Sequence, residues 1–273
     1  MIVLGAACAS LDGIAGSARD VDGGFDGAVD AGGDGGVDAQ PGVDSGAPPD
    51  AAEAGGPFCA SLSPAPIFCA DFDEGQPASF GWTSSALQAG GTVALDPQIA
   101  RSPPNSMDSV CPSLDAGMDC YAILALHRVA PASEILAGFD LWLDGLGNGT
   151  AQLANIELLD AQDNATYAFD LDVNANGAFV VEEAVGGGSF MQVATQGSLV
   201  PQQWAHVAID FAIVADAGSG ATMTVDVGGV RVLDHHTIPS LAPGRPYFSL
   251  GVYTQDRTSE WRMHADNVTY DER

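Results

Sequence analysis

The segment YAFDLDVNANGAFVVEE, residues 167–183, decides the fold class of this protein. Its first half alternates apolar residues with small or acidic ones, and the turn sequence NANG at 174–177 separates it from a second apolar run. The alternating apolar residues are Tyr167, Phe169, Leu171 and Val173. Successive side chains of a strand point to opposite faces of a sheet, and Asn-Gly favours a tight turn. The segment therefore predicts a β-hairpin with one apolar face.

The same alternation returns along the rest of the chain. It is found in FDLWL at 139–143, HVAIDFAI at 206–213, ATMTVDV at 221–227 and YFSLGVYT at 247–254. No stretch offers a long amphipathic helix. Because strands with one apolar face bury it by packing sheet on sheet, the sequence predicts an all-β protein. We expect two antiparallel sheets that form one sandwich domain at residues 58–273.

The charge of the chain excludes one class of partner. The protein has 273 residues, of which 36 are acidic and eight are basic, and its formal net charge is −28. All eight basic residues are arginines. Since proteins that bind nucleic acids cluster cations against the phosphates, we predict no nucleic-acid partner.

Residues 9–57 differ in composition from the rest of the chain. They hold ten acidic residues and a single cation, Arg19, among many glycines, alanines and prolines. Such a segment buries too little apolar area to offset the entropy of ordering it, so it predicts a disordered acidic linker. A calcium-binding glycine–aspartate repeat is the alternative, although no nonapeptide register is kept.

Residues 1–8 read MIVLGAAC and resemble the end of a bacterial lipoprotein signal peptide, with Cys8 as the lipidated residue. Seven residues before the cysteine are few for a complete signal, so we expect translation to start upstream of Met1. The resemblance implies a cell-envelope protein, at the outer membrane or cell surface, held by its lipid anchor alone; without lipidation it is secreted. An apolar terminus with an unrelated cysteine is the alternative.

Four further cysteines, Cys59, Cys69, Cys111 and Cys120, form an even set. They allow three pairings, of which the local bridges Cys59 to Cys69 and Cys111 to Cys120 are the simplest. Disulfides would place the domain outside the cytoplasm, whereas reduced buried thiols are the alternative. The spacing does not favour zinc.

Several phrases together resemble a known superfamily. They are IFCADFDEG at 67–75, PQQWAHVAIDF at 201–211, VDVGGVRVLD at 225–234, YFSLGVYT at 247–254 and DNVTYD at 266–271. Their order is similar to that of the concanavalin A-like lectins and glucanases, near the laminin-G-like members, which share a P-x-x-W-x-H-V phrase. The resemblance implies a jelly-roll sandwich in which the first and last strands pair, and many members bind glycans.

Catalytic members of that superfamily carry E-x-D-x-E or E-x-D-x-x-E on one strand, which places carboxylates on one sheet face. This chain has no such triplet, and its nearest approach is Asp170, Asp172 and Asn174. We interpret these residues as a solvated outer face. Whether the protein is an enzyme therefore stays uncertain, with the sequence favouring a non-catalytic module and no catalytic residue.

Two patterns concern calcium. Residues 172–183 match the EF-hand loop expression, but strands rather than helices flank them, so a hairpin is the better interpretation. The resemblance also implies a structural calcium ion between the first and last strands, held by Asp71, Asp73 and Asp266. The alternative is that Asp266 only caps a strand. No other cofactor is expected.

Glycan recognition uses exposed aromatic rings with polar neighbours. Trp142 lies with Asp140 on the polar face of its strand, and Tyr253 and Trp261 border a turn, so we take these four as candidate ligand residues. The alternative for each ring is a place in the core. We predict a monomer that binds a carbohydrate or another cell-surface component without catalysis. A glycosidase or polysaccharide lyase, and a structural or protein-adhesion module, remain the alternatives.

Overall fold

The computed structural model describes residues 57–113, 118–194, 197–213, 220–239, 241–255 and 258–273. The predictions for Cys8 and for the acidic segment at 9–56 lie outside these residues. The described part has one short helix, α1 (Phe58–Ser61), and fifteen strands. The strands are β1 (Phe68–Ala70), β2 (Ser84–Gln88), β3 (Thr92–Asp96), β4 (Ser106–Cys111), β5 (Cys120–His127), β6 (Glu134–Leu143), β7 (Thr150–Leu159), β8 (Ala165–Asn174), β9 (Phe179–Val185), β10 (Met191–Ala194), β11 (Ala205–Ile213), β12 (Ala221–Val227), β13 (Val230–Ile238), β14 (Arg245–Thr254) and β15 (Trp261–Glu272).

These strands form two antiparallel sheets. Sheet 1 has the order β13-β12-β11-β6-β15-β4-β3, and β1 pairs with the C-terminal half of β15. Sheet 2 has the order β10-β9-β8-β7-β14-β5-β2. Strands far apart in sequence, such as β7 and β14, are neighbours in space. The predicted two-sheet antiparallel sandwich is confirmed.

The apolar alternation of the strands builds the core between the sheets. The four alternating apolar residues of β8 are buried, with exposures of at most 1%. Phe139 and Leu141 of β6 in sheet 1 are likewise fully buried. Tyr167 of sheet 2 packs against Phe211 of sheet 1, with ring centroids 5.3 Å apart. The period-two pattern therefore predicts the buried face correctly in both sheets.

The first and last strands pair, as the resemblance implied, with Ala70 of β1 opposite Val268 of β15. Asp71, directly after β1, is fully buried and accepts a hydrogen bond from the Cys59 backbone N–H at 2.9 Å. The Cys59–Cys69 disulfide links the same two segments. Helix α1 is thus fastened to β1 by one covalent and one polar contact.

The second disulfide joins the sheets. Cys111 of β4 in sheet 1 is bonded to Cys120 of β5 in sheet 2, and both are fully buried. The local pairing of the four cysteines is therefore confirmed. Within the described residues, no helix has the length and apolar character needed to cross a lipid bilayer.

Candidate functional site

The structure separates the four aromatic and acidic residues predicted to bind a ligand. Asp140 and Trp142 lie on the outer face of sheet 1, where the Trp142 ring centroid is 5.7 Å from that of Trp204. Tyr253 lies on β14 of sheet 2, on the other side of the sandwich. These residues therefore do not form one site.

The prediction that Trp261 forms an exposed rim is wrong. Its side chain is fully buried, and its indole N–H donates to the Asn148 carbonyl oxygen at 3.2 Å. The ring packs where Gly147 has no side chain, since a Cβ there would lie 2.5 Å from the indole nitrogen. Trp261 is the first residue of β15. Its side chain points into the core because it lies two residues before the buried Met263 and therefore on the same face of the strand.

A denser cluster of polar and aromatic side chains crosses the outer face of sheet 2. Strand pairing places Tyr253 opposite Gln152, which lies opposite Asp172. In the next row, Asp170 lies between Asn155 and Glu182. We call the whole set the sheet 2 groove: Tyr121, His127, Gln152, Asn155, Glu157, Asp170, Asp172, Glu182, Tyr247 and Tyr253.

The side chains in the middle of this groove are withdrawn from water. Asn155 is 5% exposed, Asp172 is 7% exposed and Ser249 beside them is 5% exposed. On an open sheet face such residues would be solvated, so their neighbours on adjacent strands shield them. The interpretation of Asp170 and Asp172 as a solvated outer face is therefore wrong.

Burial changes the acidity of the groove carboxyl groups. It raises the pKa of Glu157 to about 7 and, helped by the charges of Glu157 and Glu182, that of Asp170 to about 7. Burial, with the charge of Asp170 next, raises the pKa of Asp172 well above its usual range. Burial also raises the pKa of Glu182. Groups that gain or lose a proton near neutral pH are typical of functional sites.

Two amides orient Asp170. The Asn155 Nδ2 donates to Asp170 Oδ1 at 2.8 Å, and the Gln152 Nε2 donates to the same oxygen at 2.5 Å. In contrast, the buried Asp172 Oδ1 and Asn155 Oδ1 have no hydrogen-bond partner among the described residues. An unsatisfied buried polar atom costs about 1–3 kcal/mol, so a hydrogen bond from water or from a ligand to either oxygen would stabilise the structure.

Aromatic side chains of β5 and β14 border the carboxyl groups of the groove. The rings of Tyr121 and Tyr253 are stacked, with centroids 4.6 Å apart. His127 and Tyr247 meet edge to face at 4.6 Å, and Tyr247 lies opposite Glu157 in register. Burial lowers the pKa of His127, and burial together with the Glu157 charge raises the pKa of Tyr247 to about 12.

The hairpin at 174–177 is confirmed, and it does not form a calcium loop. The Asn174 Oδ1 accepts the backbone N–H groups of Asn176 and Ala178, at 3.2 and 3.0 Å. Asp172 points to the outer face of sheet 2, whereas Glu183 points inward and bonds His236 at 3.0 Å. Because the first and last EF-hand ligands lie on opposite faces of the sheet, they do not converge on one ion.

The three calcium ligands predicted between the first and last strands, Asp71, Asp73 and Asp266, are only partly brought together. Asp266 is fully buried, and burial, with a smaller contribution from the Asp73 charge, raises its pKa to about 7. Its carboxylate accepts the backbone N–H groups of Arg101 and Ser102, at 2.9 and 2.8 Å. Asp71 instead bonds the Cys59 segment. Asp266 thus holds the segment at Arg101 and Ser102 against the last strand, and both calcium binding and the strand-capping alternative stay predictions.

One group of potential metal ligands lies close together among the described residues. It consists of Cys59, Asp71 and Glu74, whose ligand atoms are within 4.8 Å of one another. The Cys59 sulfur is bonded to Cys69, and only a free thiolate is a strong metal ligand. This group therefore offers two carboxylates and does not fit a thiolate metal site.

Gln152, Asn155 and Glu157 of β7 were not predicted as members of a site. The alternation of Asn155, Ile156, Glu157 and Leu158 would have placed the polar residues on the outer face. A register shift between Gln152 and Ala154 breaks the pattern at the start of the strand. The decisive neighbours come from β14, which is far away in sequence.

Many solved structures resemble the chain, and two of them superpose over about three quarters of it. An endo-β-1,4-glucuronan lyase from the fungus Trichoderma reesei superposes with a TM-score of 0.57 at 12% identity, over 76% of this chain and 96% of that one. The cellulose induced protein Cip1 superposes with a TM-score of 0.55 at 14% identity, over 74% of this chain and 96% of that one. The fold is the concanavalin A-like jelly roll.

No protein-family model matches the sequence, and no curated protein matches it. At 12% and 14% identity, the likeness establishes the concanavalin A-like fold alone. The chemistry of this concanavalin A-like domain must therefore be argued from its own side chains.

Proposed function

We propose that the domain binds a carbohydrate chain along the sheet 2 groove without cleaving it. The observation that carries this proposal is the pair of buried, unpartnered oxygens, Asp172 Oδ1 and Asn155 Oδ1, in the middle of the groove. Sugar hydroxyl groups are hydrogen-bond donors that would satisfy such acceptors once neighbouring side chains move aside, because neither oxygen is accessible to solvent in the structure. The site would then be complete only with its ligand.

The composition of the groove suits a sugar in two further respects. The stacked rings of Tyr121 and Tyr253 offer an apolar surface to the C–H faces of a pyranose. Gln152 and Asn155 are amides that both donate and accept. The proteins of similar fold include one named for polysaccharide cleavage and one named for induction by cellulose. A polysaccharide ligand is consistent with both.

We further propose that the domain is displayed at the bacterial cell envelope, with Cys8 lipidated and residues 9–57 as a spacer. The apolar residues before Cys8 and the acidic composition after it support this arrangement. Detergent-phase partition of the full chain expressed in bacteria tests it. Partition that is unchanged by Cys8→Ala would contradict lipidation.

A glycan array with the purified full chain tests the binding proposal, followed by titration calorimetry with the best ligand. We expect Tyr253→Ala to weaken binding about tenfold, because removing the aromatic side chain under a stacked nucleobase costs about 1–3 kcal/mol and a pyranose face is a comparable partner. Trp142→Ala is the matched control, since it removes an aromatic ring from the outer face of sheet 1. Equal loss in both variants would place the ligand elsewhere.

Catalysis is the second candidate, favoured by the His127–Tyr247 contact. The lowered pKa of His127 keeps its imidazole neutral and able to accept a proton, and its Nε2 lies 3.1 Å from Ser84 Oγ. A protonated Tyr247 opposite it is a proton donor, as a polysaccharide lyase or glycosidase requires. Release of new reducing ends or unsaturated products, abolished in His127→Ala, would replace the binding proposal with this one.

A chain that neither binds nor cleaves glycans would be a structural or adhesion module.

A further inference from the structure

The sheet 2 groove is acidic along its length. Four carboxyl groups, those of Glu157, Asp170, Asp172 and Glu182, lie on three adjacent strands. The arginine on this face, Arg245, lies at the end of β14 and is already paired with Asp163 at 2.6 Å. Among the described residues on the groove strands, no further lysine or arginine shares this face. A polyuronate would bring its carboxylates beside these carboxyl groups and oppose their ionisation further, whereas a cationic ligand would favour it.

The buried acceptor atoms indicate which chemical groups a ligand of this groove must carry. Asp172 is 7% exposed and Asn155 is 5% exposed, yet Asp172 Oδ1 and Asn155 Oδ1 receive no hydrogen bond from the described residues. Asn155 Oδ1 is an acceptor, and Asp172 Oδ1 is one when Asp172 is ionised, so a ligand that donates hydrogen bonds and favours ionisation of Asp172 would complete both. A ligand that also carries positive charge would relieve the repulsion between Asp172, Asp170 and Glu182.

A single metal ion fits this arrangement poorly. A divalent cation needs several carboxylate oxygens gathered around one point. Within the part of the chain that the structure describes, three such ligand atoms come within 4.8 Å of one another at Cys59, Asp71 and Glu74, and not in the groove. The groove carboxyl groups are spread over neighbouring strands, which are about 4.8 Å apart, so they match several separated positive charges better than one.

We propose that the sheet 2 groove selects a polysaccharide that carries free amino groups, such as a glucosamine polymer, over neutral glucans and polyuronates. An ammonium group carries one positive charge and three hydrogen-bond donors, and it has no acceptor. It would supply the donor and the positive charge that Asp172 and its neighbours do not receive from the protein. A polymer presents such groups at intervals along an extended chain. The inference rests on the proposed function, since it concerns the ligand of the same groove.

Titration calorimetry of the full chain tests the proposal with four short ligands of equal length, at pH 6.5 and fixed salt. The ligands are oligomers of glucosamine, N-acetylglucosamine, β-1,4-linked glucose and β-1,4-linked glucuronate. We expect the glucosamine oligomer to bind at least tenfold more tightly than the other three. We also expect a heat that depends on the buffer, because placing an ammonium group beside the groove carboxyls changes the protonation of both groups.

Variants separate this site from general attraction to a protein with a net charge of −28. Asp172→Asn should weaken glucosamine-oligomer binding at least tenfold. Glu182→Gln, at a less buried position, should have the same effect and keeps the test valid if Asp172→Asn does not fold. Asp210→Asn, an exposed position on the outer face of sheet 1, is the matched control and should leave binding unchanged.

The outcomes distinguish the two proposals. If no oligomer binds, the proposed function fails. If the neutral or uronate oligomers bind with equal or higher affinity, and Tyr253→Ala weakens them, the function stands and the amino-sugar inference is overturned. Equal losses in Asp172→Asn, Glu182→Gln and Asp210→Asn would mean unspecific charge attraction and would also overturn the inference.

Discussion

Glu157 in the sheet 2 groove provides a direct test of the electrostatics described above. Burial raises its pKa from 4.5 to about 7. Below pH 4.5 the carboxyl is protonated in both the folded and the unfolded chain, so it does not affect stability. As the pH rises from 4.5 to about 7, the unfolded chain releases this proton more readily, so stability falls. Above about pH 7 the full penalty is present.

The magnitude follows from that difference in pKa. One pKa unit corresponds to about 1.4 kcal/mol, so the ionised Glu157 should lower the free energy of unfolding by about 3 kcal/mol at pH 8. Glu157→Gln keeps the shape of the side chain and removes the charge. Because the Glu157 charge also contributes to the raised pKa of Asp170, its removal acts on Asp170 in the same direction.

Urea unfolding of the wild type and of Glu157→Gln at pH 4 and pH 8, with disulfides intact, measures the effect. We expect the variant to gain about 3 kcal/mol on the wild type between pH 4 and pH 8. Glu260→Gln is the matched control at an exposed position, and it should follow the wild type. If both variants follow the wild type at both pH values, Glu157 is not buried in a groove and the reasoning fails.

Three further predictions concern stability. Gly251→Ala should cost about 3 kcal/mol or more in urea unfolding, because a Cβ would lie 2.2 Å from a backbone carbonyl oxygen of β5; an unchanged midpoint would contradict the register of β14 and β5. Replacing Cys111 and Cys120 by alanine should cost about 2–4 kcal/mol, since the bridge joins the two sheets, and a loss below 0.5 kcal/mol would argue against it. Calcium should raise the melting temperature if Asp73 and Asp266 share an ion, and melting curves identical with calcium and with chelator would remove that site.

The local features of the fold were predictable because they depend on neighbouring residues. The alternation at 167–173 places its apolar residues in the core, and the Asn-Gly pair at 176–177 closes the hairpin. The disulfides join cysteines separated by ten and nine positions, so proximity in sequence suggested the pairing.

The site was not predictable in the same way, as two residues illustrate. The parity of Trp142 correctly places it on an outer face, but parity does not tell which outer face is shielded. Trp261 borders a turn, yet its strand parity and the bare backbone of Gly147 take it into the core. Exposure of an aromatic ring depends on what packs against it, and those neighbours come from distant segments.

The sequence by itself determined the strand pattern, the sandwich class and an excess of acid that disfavours nucleic acid, whereas it left three disulfide pairings open. Only the tertiary structure decided that Glu157, Asp170, Asp172 and Glu182 share one shielded face with Tyr247 and Tyr253. The physical reason is that alternation fixes the face of a side chain within its own strand. Strand order and register fix which side chains become its neighbours, and those neighbours set its burial and its pKa.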